Sequence, residues 1–241
     1  MLIFNFHHVE KEIRHPERKH ITISPQGLSR FIRTLRLMGL RIVSMQEVLE
    51  RENPAENSAK EVLLTFDDGY VNNLTEALPV LEAEQCPATV FVLPGRFAGT
   101  NEWDQGHLPE AARDQLLSVE QMKTLAQSPC ITLGSHGMRH RDMTTLTEAD
   151  LQHEIHESHR ILSETFPNAY LPVFAYPWGT YSQPVVDVLK TSPYRYAFTV
   201  ETAQWQTGAN PYLVPRYSAY YRDGNPIILL AKLCRHNLLF A

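Results

Sequence analysis

The chain has 241 residues, 43% of them hydrophobic and 20% charged, and 27 acidic against 22 basic side chains give a net charge of −5. That composition suits a globular protein with a substantial core, and the slight acidic excess gives no electrostatic case for nucleic acid or an anionic membrane surface. Three widely separated cysteines, Cys86, Cys130 and Cys234, show no CxxC spacing; this argues against a disulfide framework or zinc knuckle and for small buried apolar residues.

The first element is a strand, Met1-Leu2-Ile3-Phe4-Asn5-Phe6. It has no basic n-region and its apolar run stops after a few residues, so it does not read as a signal peptide. No stretch approaches the roughly 18 apolar residues of a membrane span. Cytoplasmic residence is therefore the expectation. Ser24-Pro25 predicts a helix start, and Leu28, Phe31, Ile32 and Leu35 follow at helical spacing. Arg41-Ile42-Val43 is a short strand, and Ser44-Met45-Gln46-Glu47 is a capping box that opens another helix. The polar, aperiodic residues 51–60 form a surface loop, not a domain linker, because regular alternation resumes at once.

From there the pattern predicts a strand at 61–66, a helix at 73–84, a strand at 88–93, a long loop at 94–117, a helix at 118–127 and a strand at 130–134. A helix at 147–165, a strand at 172–176, a helix at 182–191, strands at 195–200 and 213–217, and a helix at 225–238 complete the order. Alternating elements imply an α/β fold with a mainly parallel sheet. Roughly seven strands without a Gly-rich nucleotide fingerprint favour a closed or nearly closed barrel, one domain across residues 1–241.

Two motifs follow apolar strand runs. Val62-Leu63-Leu64 leads into Thr65-Phe66-Asp67-Asp68-Gly69-Tyr70, and Ile131-Thr132-Leu133 leads into Ser135-His136-Gly137-Met138-Arg139-His140. Alone, each is weak: Asp-Asp-Gly after a strand is usually a turn, and His-x-x-x-His arises by chance. Together, at strand ends that converge on one rim of an α/β fold, they supply a hydrolytic metal site. Two neutral imidazoles and one carboxylate match the ligands of catalytic zinc, which activates water and polarises a carbonyl. The spare carboxylate can take a proton. Adjacent Asp residues can split these roles because consecutive side chains at a turn point in different directions.

These motifs, with Phe174-Ala175-Tyr176-Pro177-Trp178-Gly179, resemble the first three motifs of the polysaccharide deacetylase family (the NodB-homology domain, carbohydrate esterase family 4), in the right order and over most of the chain. The resemblance implies a distorted (β/α)7-type barrel of mainly parallel strands and metal-dependent hydrolysis of N-acetyl groups on sugars. By position, Asp67 resembles the catalytic base, and Asp68, His136 and His140 the ligands of one divalent metal. Zinc is the default ion, and cobalt, nickel or iron fits the same ligands. Tyr70, Tyr176 and Trp178 fall where family members line the sugar groove, and the Trp178 backbone N–H where the oxyanion is bound.

There are two departures. Many members carry a third-motif arginine that orients the base; here Ala175 occupies that position, in a form similar to the subgroup acting on poly-N-acetylglucosamine and related exopolysaccharides. Arg216, grouped with the substrate-binding residues, is a candidate substitute partner for the base, against the alternative of a solvated side chain. The second is the missing late Leu-x-His motif. Leu233-Cys234-Arg235-His236 lies in a predicted helix and fits poorly, whereas Phe6-His7-His8-Val9 resembles the N-terminal strand-end motif of circularly permuted members. That assigns His7 as the general acid, and leaves His8 pointing elsewhere.

The spacing of His153, His156 and His159 drifts around a helix, making them polar-face residues. His15, His20 and His107 sit in polar loops without a role. Tyr181, Trp103 and Trp205 offer flat faces to a sugar, though core packing explains both tryptophans equally well. The sequence thus points to a metal-dependent N-deacetylase acting on an N-acetylated sugar, with a cytoplasmic glycan precursor, lipid-linked sugar or small glycoconjugate favoured. Its rivals are deformylation or cyclic-amide opening on the same fold, an iron(II) oxygenase with two His and one carboxylate, and a non-catalytic glycan-binding relic. The second carboxylate argues against the oxygenase, and the complete set of aspartates and histidines against the relic.

Overall fold

The computed structural model describes residues 1–13, 16–56, 58–104 and 113–235. Strands β1 (Leu2–Phe6), β4 (Arg41–Ile42), β5 (Glu61–Phe66), β6 (Ala88–Val92), β7 (Ile131–Ser135), β8 (Tyr170–Ala175), β9 (Tyr196–Phe198) and β10 (Tyr217–Ser218) form one sheet. Its order is β10-β1-β5-β6-β7-β8-β9, with β4 added beside the start of β5, and every pairing is parallel. Residues 214–218 draw the two edges together. Val214 bridges Phe198 of β9, exchanging backbone bonds with Ala197 and Thr199 at 2.9 and 2.8 Å, and Tyr217–Ser218 then pairs with β1. The expected strand at 213–217 is therefore split between a single bridge and a two-residue strand, because it serves two neighbours in turn. The sheet curls into the distorted, mainly parallel α/β barrel that the sequence predicts.

The helices are α1 (Pro25–Leu37), α2 (Met45–Leu49), α3 (Leu78–Ala83), α4 (Val119–Ala126), α5 (Glu148–Gln152), α6 (Ser158–Thr165), α7 (Gln183–Thr191) and α8 (Pro226–Arg235). Ser24 caps α1 by accepting from the Gly27 N–H, and Leu28, Phe31, Ile32 and Leu35 are its buried stripe. The Ser44/Glu47 capping box forms as read. Two expected helices differ in their interiors: 73–84 begins with a π-helical turn at Asn73–Ala77, and 147–165 is interrupted by another at His153–Glu157. A second small sheet, β2 (His8–Val9) with β3 (Thr22–Ile23), has no counterpart in the sequence prediction. Two residues per strand are too few to register as a period. Cys86 is buried, but Cys234, expected inside, is exposed on α8. His15, His107 and His236, and the last residues of the expected 225–238 helix, lie outside the described residues. Among the described residues no helix is long and apolar enough to cross a membrane.

The period-two alternation of strands explains where the site lies. One parity, such as Leu2, Phe4 and Phe6 or Val62, Leu64 and Phe66, packs with the helices in the larger core. The other parity, including Ile3, Leu63, Phe91, Val173 and Val214, fills the inside of the curl, together with Met45 and Val48 of α2. Followed towards the C-terminal strand ends, the inner series turn polar: Ile3, Asn5, His7; Leu63, Thr65, Asp67; Val214, Arg216, Ser218. Apolar residues close the bottom of the barrel and chemistry collects at the top.

Candidate active site

Asp68, His136 and His140 converge. Asp68 Oδ1 lies 3.3 Å from the Nε2 of each histidine, and one ligand atom from each residue falls within 4.8 Å of the others. His136 Nδ1 is 2.8 Å from the Ala175 carbonyl oxygen, which can only accept, so Nδ1 carries a proton, and in the neutral ring Nε2 presents a lone pair. Asp68 Oδ1 is buried without a hydrogen-bond partner, as is His140 Nδ1. With the His136 ring neutral, lone pairs of Asp68 and His136 face one another, an arrangement that a cation completes. Burial alone would raise the Asp68 carboxyl, but His140 and His136 outweigh it and hold the group well below the usual carboxylate range. Burial lowers His140, while at His136 the two aspartates overcome burial and raise it.

The backbone here is strained. Asp68 (φ 73°), His140 (φ 57°) and Trp178 (φ 59°), one from each motif, adopt left-handed conformations as non-glycine residues. Such positions persist only where the surroundings over-determine them, and they cluster at functional sites.

Asp67 turns the other way. Its Oδ1 and Oδ2 accept from Nη1 and Nη2 of Arg216 at 2.7 and 2.8 Å, and Arg216 also donates to the Thr199 carbonyl at 2.9 Å and to Thr65 Oγ1 at 3.1 Å. Arg216 is 0% exposed and does not line the cavity. It is therefore neither a solvated side chain nor a substrate contact; it is the partner of Asp67. The guanidinium comes from the segment that joins the sheet edges. Burial would raise the Asp67 carboxyl; Arg216, with His136 and His7 nearby, outweighs it and leaves the group below its ordinary range.

These groups open onto a cavity of about 690 Å³, lined also by His7, Tyr70, Tyr176 and Trp178. His7 is half-buried at the end of β1, and its carbonyl accepts from Asn73 Nδ2 at 2.9 Å. Trp178 is 49% exposed and meets the His140 ring edge-on at 4.8 Å, whereas Trp103 stacks on the same ring at 4.3 Å. Tyr176 is buried and donates its hydroxyl proton to the Tyr212 carbonyl. Tyr70 is buried too, its phenol pushed well up by burial and by Asp68. Trp205 packs against Tyr196 in the inner core, Tyr181 donates to Glu201, and neither lines the cavity.

His8 does point away from the cavity, but it is structural, not idle. It is buried, stacked on Tyr70 at 3.8 Å, and 3.1 Å from Asn72 Nδ2. Burial, then His7 and Arg18, lowers its pKa to about 3. His8, Glu10 and Asp114 form a second cluster of metal-ligating types, but Arg18 is already paired with Asp114 there. Sequence reasoning missed Asn5 and Arg18, both on the cavity wall, and half-buried Asp104, whose carboxyl is raised by burial and by Asp68. Only the alternation of β1 could have found Asn5. None of His153, His156 and His159 lines the cavity, and His159 is bonded to the Tyr170 hydroxyl at 2.8 Å.

A family model described as polysaccharide deacetylase matches residues 55–197. The chain belongs to the polysaccharide deacetylase family. The match covers Asp67, Asp68, His136 and His140 and stops short of His7 and Arg216. The protein YxkH of Bacillus subtilis strain 168, provisionally named a polysaccharide deacetylase, is 32% identical over 144 residues, 60% of this chain and 46% of that protein. The chain thus spans under half of that relative's length. The poly-β-1,6-N-acetyl-D-glucosamine N-deacetylase of Staphylococcus aureus strain MRSA252 is 23% identical over 204 residues, 83% of this chain and 68% of that one. The structure of the Streptococcus pyogenes deacetylase PplD in complex with acetate superposes with a TM-score of 0.74 at 21% identity, over 96% of both chains, and shares the fold.

Proposed function

We propose that the chain is a divalent-metal-dependent hydrolase that removes the N-acetyl group from an amino sugar, with zinc the ion its donor set fits best. The observation that carries this is the facing set of Asp68, His136 and His140 donor atoms beside a second, separately held carboxylate, Asp67. Asp68 Oδ1, His136 Nε2 and His140 would hold the ion. When bound, such an ion lowers the pKa of water and polarises a carbonyl.

Asp67 is the proton acceptor. Arg216 fixes its plane and keeps it ionised, and each carboxylate oxygen retains a lone pair for the proton of the attacking water. As the new C–O bond forms and the C–N bond breaks, His7 supplies the proton that the departing amine needs, giving acetate and a free amino sugar. Trp178 and Trp103 flank the His140 ring and offer apolar faces for sugar packing. Likeness to the poly-β-1,6-N-acetyl-D-glucosamine deacetylase makes β-linked N-acetylglucosamine oligomers the first substrates to try. The test is acetate release from a panel of N-acetylated oligosaccharides and nucleotide- or lipid-linked sugars, before and after chelation. Release that a chelator abolishes and zinc restores supports the proposal; release indifferent to chelation overturns it.

A further inference from the structure

The segment carrying both histidines leaves β7 and turns through left-handed backbone at Gly137 (φ 77°) and again at His140 (φ 57°). Two such turns in four residues need an outside hold. Glu154 provides one. Its Oε2 accepts from the Met138 N–H at 2.7 Å and the Arg139 N–H at 3.1 Å, and the residue is 1% exposed. The fit is close: a Cβ on Gly137 would sit 3.3 Å from that oxygen and 2.9 Å from Met143 Cε. A few residues along the same helical stretch, Ser158 Oγ reaches Ser135 Oγ at 2.9 Å, and Ser135 Oγ accepts from the Gly137 N–H at 3.2 Å.

Glu154 lies in the π-helical turn His153–Glu157 between α5 and α6. A π turn holds one residue more than an α turn, and each residue advances a helix by about 100°. The insertion therefore changes the angle between the face of α5 that packs in the core and the face of α6 that meets the loop. Isolated π turns of this kind are frequent at functional sites. A second among the described residues, Asn73–Ala77, likewise presents a buried polar side chain to the site, Asn73 to the His7 carbonyl.

We propose that Glu154 is a positioning residue for the metal centre. By tying the Met138 and Arg139 amides, it fixes the loop between His136 and His140, so that both imidazoles meet Asp68. The proposal rests on the metal-hydrolase function above, and what it asserts is reach, not charge. Glu154→Gln keeps the length and the acceptor oxygen, while Glu154→Asp keeps the charge but is one methylene short of the two amides.

The test is cobalt(II) titrated into metal-free protein and followed by its visible absorption, with the fold of each metal-free variant checked by circular dichroism. Removing an outer partner of a ligand shell typically costs about 10–100-fold in metal affinity. Glu154→Ala and Glu154→Asp are expected to lose about that much and to change the absorption bands, while Glu154→Gln keeps the wild-type spectrum and affinity. If Glu154→Ala does not fold, the Asp and Gln pair still decides. Wild-type binding in Glu154→Asp, or a loss in Glu154→Gln alone, overturns the proposal. A wild-type protein that takes up no cobalt overturns the metal assignment and this proposal with it.

Discussion

The buried pair of Asp67 and Arg216 can be tested by a double-mutant cycle. Arg216 is wholly buried and donates four hydrogen bonds, two to Asp67 and one each to Thr65 and Thr199. Arg216→Met removes the guanidinium at similar length and leaves the Asp67 carboxylate buried without its counter-charge, at a cost of about 3–5 kcal/mol. Asp67→Asn leaves the guanidinium facing a neutral amide, with a penalty of similar origin. The double variant buries neither charge unpaired, so it should be less destabilised than the sum of the two by roughly 2–3 kcal/mol. Urea unfolding of the metal-free proteins measures this directly, provided the slopes stay equal. Losses that add to within about 0.5 kcal/mol would mean that the two groups do not depend on each other. The account of how the base is held would then be wrong.

Three further outcomes follow from the site. His136→Ala and His140→Ala should each lower metal content and turnover together; metal content equal to wild type in both would remove them from the ligand set. His7→Ala should slow hydrolysis of an N-acetyl sugar severely but spare an activated acetate ester, whose leaving group needs little protonation. Equal losses on both substrates would point to folding or binding instead. His8→Ala opens a gap beneath Tyr70 and should cost on the order of 2–3 kcal/mol in unfolding free energy, whereas an unchanged denaturation midpoint would contradict its structural role.

Much of this was legible because parallel strands buried on both faces read as apolar runs, and because motifs at strand ends fall on one rim. The strand at Glu61–Phe66, the Ser44/Glu47 capping box and the stripe on α1 follow from local pattern alone. The role of Arg216 did not, since it depends on residues 214–218 joining sheet edges that are remote in sequence. Nor did Glu154. Its partners are backbone amides of a loop 16 and 15 residues away, which leave no mark in the helical pattern, and the nearby His153, His156 and His159 drew attention to the wrong side chains. His8 seemed idle beside His7, and only β2 pairing with β3 and the stack on Tyr70 account for its burial.

The central claim is that adjacent aspartates divide the work, Asp68 holding the ion and Asp67 taking the proton. Bound metal and acetate release should therefore be measured in the same samples of Asp67→Asn and Asp68→Asn. Asp67→Asn is expected to retain its metal and lose about 10²–10⁴-fold in rate, while Asp68→Asn loses metal and activity together. Metal lost from Asp67→Asn, or retained in full by Asp68→Asn, would contradict that division.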